Sequence, residues 1–470
     1  MVQGILEPAA APVVGARRGL GFGALFAAAI GVIVAQIGMV SVLQGVGIAG
    51  WGFLVALAIA FALALANAMA YAEMSLMMPS AGSLSSFAEA ALGSFPAILL
   101  VFAGYITPAI FGLPAELILV DQILTRTVAL PLPPFTWPVA IVVLFALLNI
   151  LGTDIFARVQ TALGFTVLVF LVVIGLVALT GTAAPVAPAA GTVGLAALSG
   201  DVLVLGIVAL AFWIFMGVEF VTPLVTEARD AARDLPRAMM LGLTAIFGAQ
   251  LVFVLGAVML VPREQLASAA LPHLEVVVAA FGPGAEIWFA VLALVASASL
   301  FNTVLAAVPR MLHSMAQRGL VFPILKIEHP RYGTPVVAIA FVAALPLVGL
   351  VWSGGDVNAI LPLMIAASVA WLLAYVMAQV SLIVLRRRHP TLARPFKVPG
   401  YPFVPLAAIA GMLVVVAYSS PAPEMTGQIW RYTGVVLALF AVVGALWVKL
   451  VMKRGLFEPV APPGADLDGR

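Results

Sequence analysis

The residues best placed to do chemistry in this chain are carboxylates set among apolar neighbours. The stretch FWIFMGVEFVTPLVTEARDAARDLPRA (212–238) is greasy in its first half, yet it holds Glu219 two residues after Gly217. A second acid, Glu116, lies within AGYITPAIFGLPAELILVDQ (103–122), which also carries Tyr105, Pro108, Pro114 and Asp121. A charged side chain at hydrocarbon depth costs on the order of 2.5–3.5 kcal/mol or more, so such acids are paired, protonated or placed in a wet cavity, and they mark ion and substrate paths. Glu219 is therefore expected to couple protonation to gating. Its alternative is a structural cap on the backbone amides freed after Gly217. Glu116 is expected to bind an amine or relay protons, and its alternative is a pairing with a polar group on a neighbouring helix. Tyr105 and Asn302 are pocket candidates whose alternative is hydrogen bonding between helices.

Other chemistries have no residues to run on. The chain has no cysteine, which excludes disulfides, thiolate catalysis and zinc–thiolate sites. Its four histidines, among them His313, His329 and His389 in expected loops, show no metal-ligand spacing, and none is expected at membrane depth. No metal or cofactor is implied. Without a nucleophile–base pair inside the apolar segments, enzymatic catalysis is disfavoured, and the lack of a GxxxxGK[ST] loop excludes a nucleotide-driven pump. A net charge of +2, with no basic cluster interleaved with aromatics, gives no case for nucleic acid.

The elements that must hold these acids follow from composition. Of 470 residues, 64% are hydrophobic and 9% charged, against roughly 25% charged in an ordinary soluble domain. No soluble surface could cover that much apolar area, so the chain reads as an all-α integral membrane protein. A spanning helix needs about 20 mostly apolar residues. Twelve windows qualify, near 21–44, 50–73, 97–122, 138–152, 159–180, 201–224, 240–261, 286–309, 334–352, 358–385, 403–419 and 432–452, and they are numbered here as spans 1 to 12. Span 1 is too long for a signal-peptide core. Residues 1–20 read as a cytoplasmic N-terminal tail carrying Arg17 and Arg18, and 456–470 as a disordered cytoplasmic tail.

Lys and Arg test that count, because they concentrate in inner loops. With both termini cytoplasmic, only Arg126, Arg263 and Arg431 fall on the outer side, and the other nineteen of twenty-two lie inside or at inner helix ends. Spans 1 and 6 share interruptions: Gly31, Gln36 and Gly38 in one, Gly217, Glu219 and Pro223 in the other. Unwound backbone at membrane depth is tolerated only where it lines a cavity or is buried in protein. Two interrupted spans five helices apart point to a transporter built from inverted five-helix repeats, with its substrate between the breaks; the alternative is that the small residues only let helices pack closely. Breaks are expected near Ala35–Gly38 and Phe215–Gly217.

At this point the segment resembles the span-6 signature of the amino acid–polyamine–organocation transporters. That signature is an aromatic run, then Gly-Phe/Val-Glu, then a polar stretch ending in Pro-Arg-Ala. Here it reads Phe215, Gly217, Val218, Glu219, then Glu227, Arg233, Leu235, Pro236, Arg237 and Ala238, with Ala231 where the first proline usually stands. Residues 72–93 are similar to the family's span 2–3 connection, with Glu73, Pro79, Gly82 and Gly93, and Ser83 replaces the usual second glycine. Residues 301–325 (Asn302, Arg310, Gly319, Pro323) resemble the end of span 8, and 329–339 the start of span 9.

The resemblance implies a LeuT-type 5+5 inverted repeat over 21–400, with spans 11 and 12 in 401–455. It implies a permease moving amino acids or related amines across the cytoplasmic membrane by alternating access, coupled to protons or working as an exchanger, as monomer or homodimer. Its substrate-binding residues carry over to Ala35, Gln36, Ile37 and Gly38 in span 1, and to Trp213, Ile214, Met216 and Gly217 in span 6. Tyr105 and Asn302 join them, and Glu219 and Glu116 serve proton coupling or gating. Trp213 stands where a relative stacks a tryptophan on a cationic substrate, and such a face is worth about 0.5–2 kcal/mol to a desolvated cation. The family's span-1 break usually reads Gly-Ser-Gly, whose amides hold the substrate carboxylate; Ala35, Gln36 and Ile37 stand there instead. Span 5 carries Val167 where some proton-coupled relatives have a lysine. The two acids, Trp213 and the altered break point towards an amine-bearing cation, a polyamine or amino alcohol, as the alternative substrate. A transporter-like receptor without flux is the other alternative.

Overall fold

A computed structural model describes residues 19–128, 130–182, 193–199 and 204–462. Arg17, Arg18 and the rest of the N-terminal tail up to residue 18, together with 463–470 of the C-terminal tail, lie outside the described residues. Among the described residues, each of the twelve windows holds helix, as runs this apolar and this continuous require. Among the described residues, nine helices are long and apolar enough to cross a membrane, or ten when the bent pair Phe22–Gly31 and Gln36–Ala49 of span 1 counts as one. Spans 4 (Thr136–Ile150) and 11 (Phe403–Ala417) are shorter apolar helices.

Burial sorts the helices into a centre and a periphery. In spans 3 (94–127), 8 (285–317) and 10 (357–388), 83% of the most apolar window is buried, and in span 6 (205–227) 89%. The corresponding shares are 33% in span 5 and 11% in span 12. Span 12 instead presents Val435, Leu439, Val442 and Leu446 outward, an apolar stripe at helical spacing that suits lipid rather than protein. Spans 11 and 12 both pack on span 10, span 11 also touching span 2 and span 12 the start of span 3.

Span 1 is bent by 56°. The expected break at Ala35–Gly38 falls three residues earlier, at Val32–Ala35, and Gln36, Ile37 and Gly38 form the first turn of the second half-helix. Broken helices must satisfy the backbone groups they release. Ser299 Oγ donates to Gly31 O at 3.0 Å, which settles one freed carbonyl, and the Gln160 side chain adds a bond to Ala27 O at 3.2 Å one turn earlier. There is no room for more than a hydrogen at Gly31, since a Cβ would lie 2.1 Å from Thr303 Oγ1. At the far end of the second half, Arg263 caps the carbonyls of Gly47 and Ile48, each at 2.7 Å.

Span 6 breaks at the expected place. Met216 is extended and Gly217 has φ +105°, after which Val218–Glu227 continues as 3-10 turns. The two breaks touch: a Cβ on Gly217 would lie 2.6 Å from Cγ1 of Val32. Two further features depart from the sequence reading. A short helix, Pro272–Phe281, lies between spans 7 and 8 and packs on the second half of span 1. Residues 456–462, within the segment expected to be disordered, instead run along the start of span 3, where Phe95 N donates to Leu456 O and Val460 N to Glu89 O. The Phe457 ring meets Phe95 edge-on, which gives that tail an apolar anchor.

Candidate functional site

The second half of span 1 begins at Gln36, where no residue of its own helix can accept from the first amides. Glu116 of span 3 accepts them: Gln36 N donates to Oε1 at 3.1 Å and Ile37 N to Oε2 at 2.8 Å. Ser297 of span 8 donates its hydroxyl to Oε1 as well. Gln36 extends the network, donating through Nε2 to Ser297 Oγ at 2.8 Å while its Oε1 lies 3.2 Å from His273 Nε2. All four side chains are fully buried. Glu116 thus pairs with span 1 and span 8 together, and buried His273, assigned no role from the sequence, joins the network from the short helix.

Glu219 sits on the other side, just past the Gly217 turn, and is also fully buried. Its partners come from span 10. Trp371 Nε1 donates to Oε1 at 3.0 Å, and the Tyr375 hydroxyl donates to Oε2 at 2.6 Å. The Gly217 amide in turn donates to the Tyr375 oxygen at 3.2 Å, so one tyrosine bridges the turn and the acid. Thr222 Oγ1 donates to Glu219 O at 2.6 Å and lies 2.5 Å from Ser83 Oγ, tying the break to the span 2–3 connection. Ser83 has φ +43°, a conformation that glycine adopts without strain and that other residues rarely adopt.

Between the breaks lies a small cavity lined by Val32, Ile37, Tyr105, Trp213, Phe220 and Trp371, with further apolar residues of spans 1, 3, 6 and 8 completing it. Its volume is about 20 Å³, room for roughly one water molecule, so its aromatic walls lie close together. The rings converge: Trp213 and Trp371 are 6.2 Å apart edge to face, Tyr105 and Phe220 5.1 Å, and Phe220 and Trp371 5.8 Å. Local sequence explains how they fit. Pro108 cannot donate to the helix turn before it, and Phe102–Ile106 widens into a π turn that carries Tyr105. Gly112 leaves space for Trp213, whose Cη2 would lie 2.4 Å from a Cβ there.

Of the residues expected to bind substrate, Ile37, Tyr105, Trp213 and Met216 line this cavity. Ala35, Gln36 and Gly38 are buried beside it, their backbone forming the start of the half-helix. Ile214 is turned away and packs near Gly38, and Gly217 supplies the turn. Asn302 does not line the cavity. It joins span 8 to spans 4 and 5, accepting from Asn149 Nδ2 and donating to Gln160 Oε1, both at 3.1 Å, because its face of the helix is opposite that of Leu300 and Val304. Sequence reasoning missed Trp371, Tyr375 and Ser297. The available signal was a tryptophan and a tyrosine four residues apart inside an otherwise apolar span 10, which puts two polar-tipped rings on one face.

The end of the bundle richest in arginine is held by ion pairs. Glu73 accepts from Arg386, lies 3.3 Å from Arg394, and takes the Val398 amide at 2.7 Å. Arg318 pairs with Glu89, and Arg310 lies 3.4 Å from Glu227. Leu20 pairs through its backbone with the chain around Ala228, just after span 6. A vestibule lined by Glu227, Arg310, His313 and Glu328, among others, opens at this end.

Comparison with known proteins gives the same picture. Over 458 residues the chain is 25% identical to the branched-chain amino acid permease BcaP of Bacillus subtilis, covering 90% of this chain and 92% of that one. Its fold is similar to that of a point mutant of the Eremococcus coleocola manganese transporter, with TM-score 0.61 and 12% identity over 93% of this chain and 97% of that one. It is also similar to Mhp1, a nucleobase-cation-symport-1 family transporter in a closed conformation, with TM-score 0.56 and 18% identity over 96% and 97%. The family model described as amino acid permease matches residues 20–442. With helices broken at Val32–Ala35 and Met216–Gly217 around one small cavity, and that match across nearly its whole length, this multi-pass membrane protein belongs to the amino acid permease family and is a transporter, not an enzyme.

Proposed function

We propose that the chain is a secondary active transporter that moves an amino acid or a related amine across the cytoplasmic membrane by alternating access. The observation that carries this reading is the position of Glu219. It lies at the span-6 break, it is held by Trp371 and Tyr375 of span 10, and Trp371 also walls the cavity. A carboxylate whose partners are on a second helix can release or hold that helix as its protonation changes, which is the link a coupled transporter needs. All twelve windows are spans on this reading, with Thr136–Ile150 and Phe403–Ala417 crossing as short helices. Spans 1–5 and 6–10 form inverted repeats, and spans 11 and 12 brace span 10. The arginine-rich end, with both termini, is cytoplasmic. Protons are the coupling ion, or the protein exchanges one substrate for another.

The test is uptake of labelled amino acids and amines into liposomes containing the purified protein, with and without an imposed pH gradient. Saturable uptake above empty liposomes that responds to the gradient supports proton coupling. Uptake that needs internal substrate supports exchange. Ligand binding without flux in any condition would make the chain a receptor and overturn the transport reading.

A further inference from the structure

A half-helix that begins inside a bundle offers free amides and the positive end of its dipole, and in broken-helix transporters that end meets the anionic group of the substrate. In this protein the place is taken. Gln36 N and Ile37 N donate to the two oxygens of Glu116, and Ser297 donates to one of them. Glu116 arrives along the cavity face of span 3: Ala109 and Leu113 line the cavity, and Glu116 follows Leu113 by three residues on the same stripe. Ile37, whose amide it holds, lines the cavity too.

We propose that Glu116 is a resident carboxylate filling the anion cradle of span 1, so that the site takes a small organic ammonium ion with no carboxylate of its own. This rests on the transport reading above and narrows its substrate. A substrate carboxylate would have to displace Glu116 from three donors and leave that charge buried without partners, a change that is strongly unfavourable. Among the described residues lining the cavity there is no lysine, arginine or histidine to receive a second anion. An ammonium ion meets the opposite conditions. Trp213, Trp371, Tyr105 and Phe220 offer it aromatic surface, and each acid is bonded to a residue of the wall, Glu116 to the Ile37 amide and Glu219 to the Trp371 indole.

Matched pairs that differ only by the carboxylate decide the matter: serine and ethanolamine, leucine and isoamylamine, arginine and agmatine. Each is measured for binding by thermal shift and for uptake into liposomes containing the full-length protein. The expected result is at least tenfold tighter binding of one amine than of its parent amino acid, with uptake following the same order. Glu116→Gln should weaken that amine at least tenfold, and Glu116→Ala, which bares the amides, should shift preference towards the amino acid. An amino acid bound and moved as well as its amine by the unsubstituted protein would overturn the inference while leaving transport standing. An amine preference unchanged by Glu116→Gln would overturn the role of Glu116. If neither member of any pair were bound or moved, the transport reading would fall and this inference with it. The comparison on the unsubstituted protein decides the substrate class even where a variant fails to fold.

Discussion

Glu219 and Trp213 show what single side chains contribute. Glu219 accepts one bond from an indole and one from a phenol. Glutamine can keep both contacts, accepting from Trp371 through its oxygen and donating to the Tyr375 oxygen through its nitrogen, since the tyrosine hydroxyl can turn. It cannot change charge. Glu219→Gln is therefore expected to fold and bind substrate while its uptake loses the pH dependence of the unsubstituted protein. A variant that keeps the original pH profile in liposomes would leave Glu219 as a structural link between spans 6 and 10. Trp213 contributes a ring face to the cavity, and such a face is worth about 0.5–2 kcal/mol to a cation. Trp213→Leu should weaken binding of a cationic substrate several-fold to tenfold or more, and Trp213→Phe less. Equal, negligible effects of the two in a binding assay would make the ring packing bulk.

At the scale of elements, the breaks are built as a pair. Span 1 loses its turn over Val32–Ala35, and Ser299 and Glu116 take up released backbone groups from outside the helix. Span 6 loses its turn at Gly217, where φ +105° suits only glycine and the missing side chain admits Val32. Gly217→Ala should cost about 1–3 kcal/mol through backbone strain alone, beyond the clash with Val32. Thermal unfolding in detergent should record a lower midpoint, and adding Val32→Ala should recover part of the loss but not all of it. Full recovery in the double variant would mean that only the clash mattered and the backbone turn carries no strain.

Across the whole molecule, two kinds of interaction divide the work. The outer helices face lipid with apolar stripes and carry little of the site. The arginine-rich end is locked by buried charge, and Glu73 is its centre, shared between Arg386 of span 10, Arg394 and the Val398 amide of the following loop. Removing one partner of a buried ion pair leaves the other uncompensated and typically costs about 3–5 kcal/mol. Glu73→Gln should accordingly lower thermal stability more than Gly217→Ala does. A variant as stable as the unsubstituted protein would show that Arg386 and Arg394 are solvated well enough to stand without the acid.

The sequence alone determined much of this architecture, because lipid leaves few choices. Long apolar runs must be helices, so each of the twelve windows holds one, and a glycine two residues before an intramembrane acid marked the span-6 break to within a residue. The resemblance carried by Gly217–Glu219 and Glu227–Ala238 pointed to the family that the whole-length match shows. What periodicity does not encode is which face of one helix meets which face of another, and there the tertiary structure decided. Asn302 reads as a pocket residue by position, yet its face of span 8 turns to spans 4 and 5. Trp371 and Tyr375 lie more than 150 residues from Glu219, so no local pattern links them. Glu116 reads as a lone acid in span 3, and only the packing of span 3 against the broken span 1 brings its carboxylate to the amides of Gln36 and Ile37. A hydrogen bond acts over about 3 Å, and these residues are brought within that reach by the packing of the folded bundle.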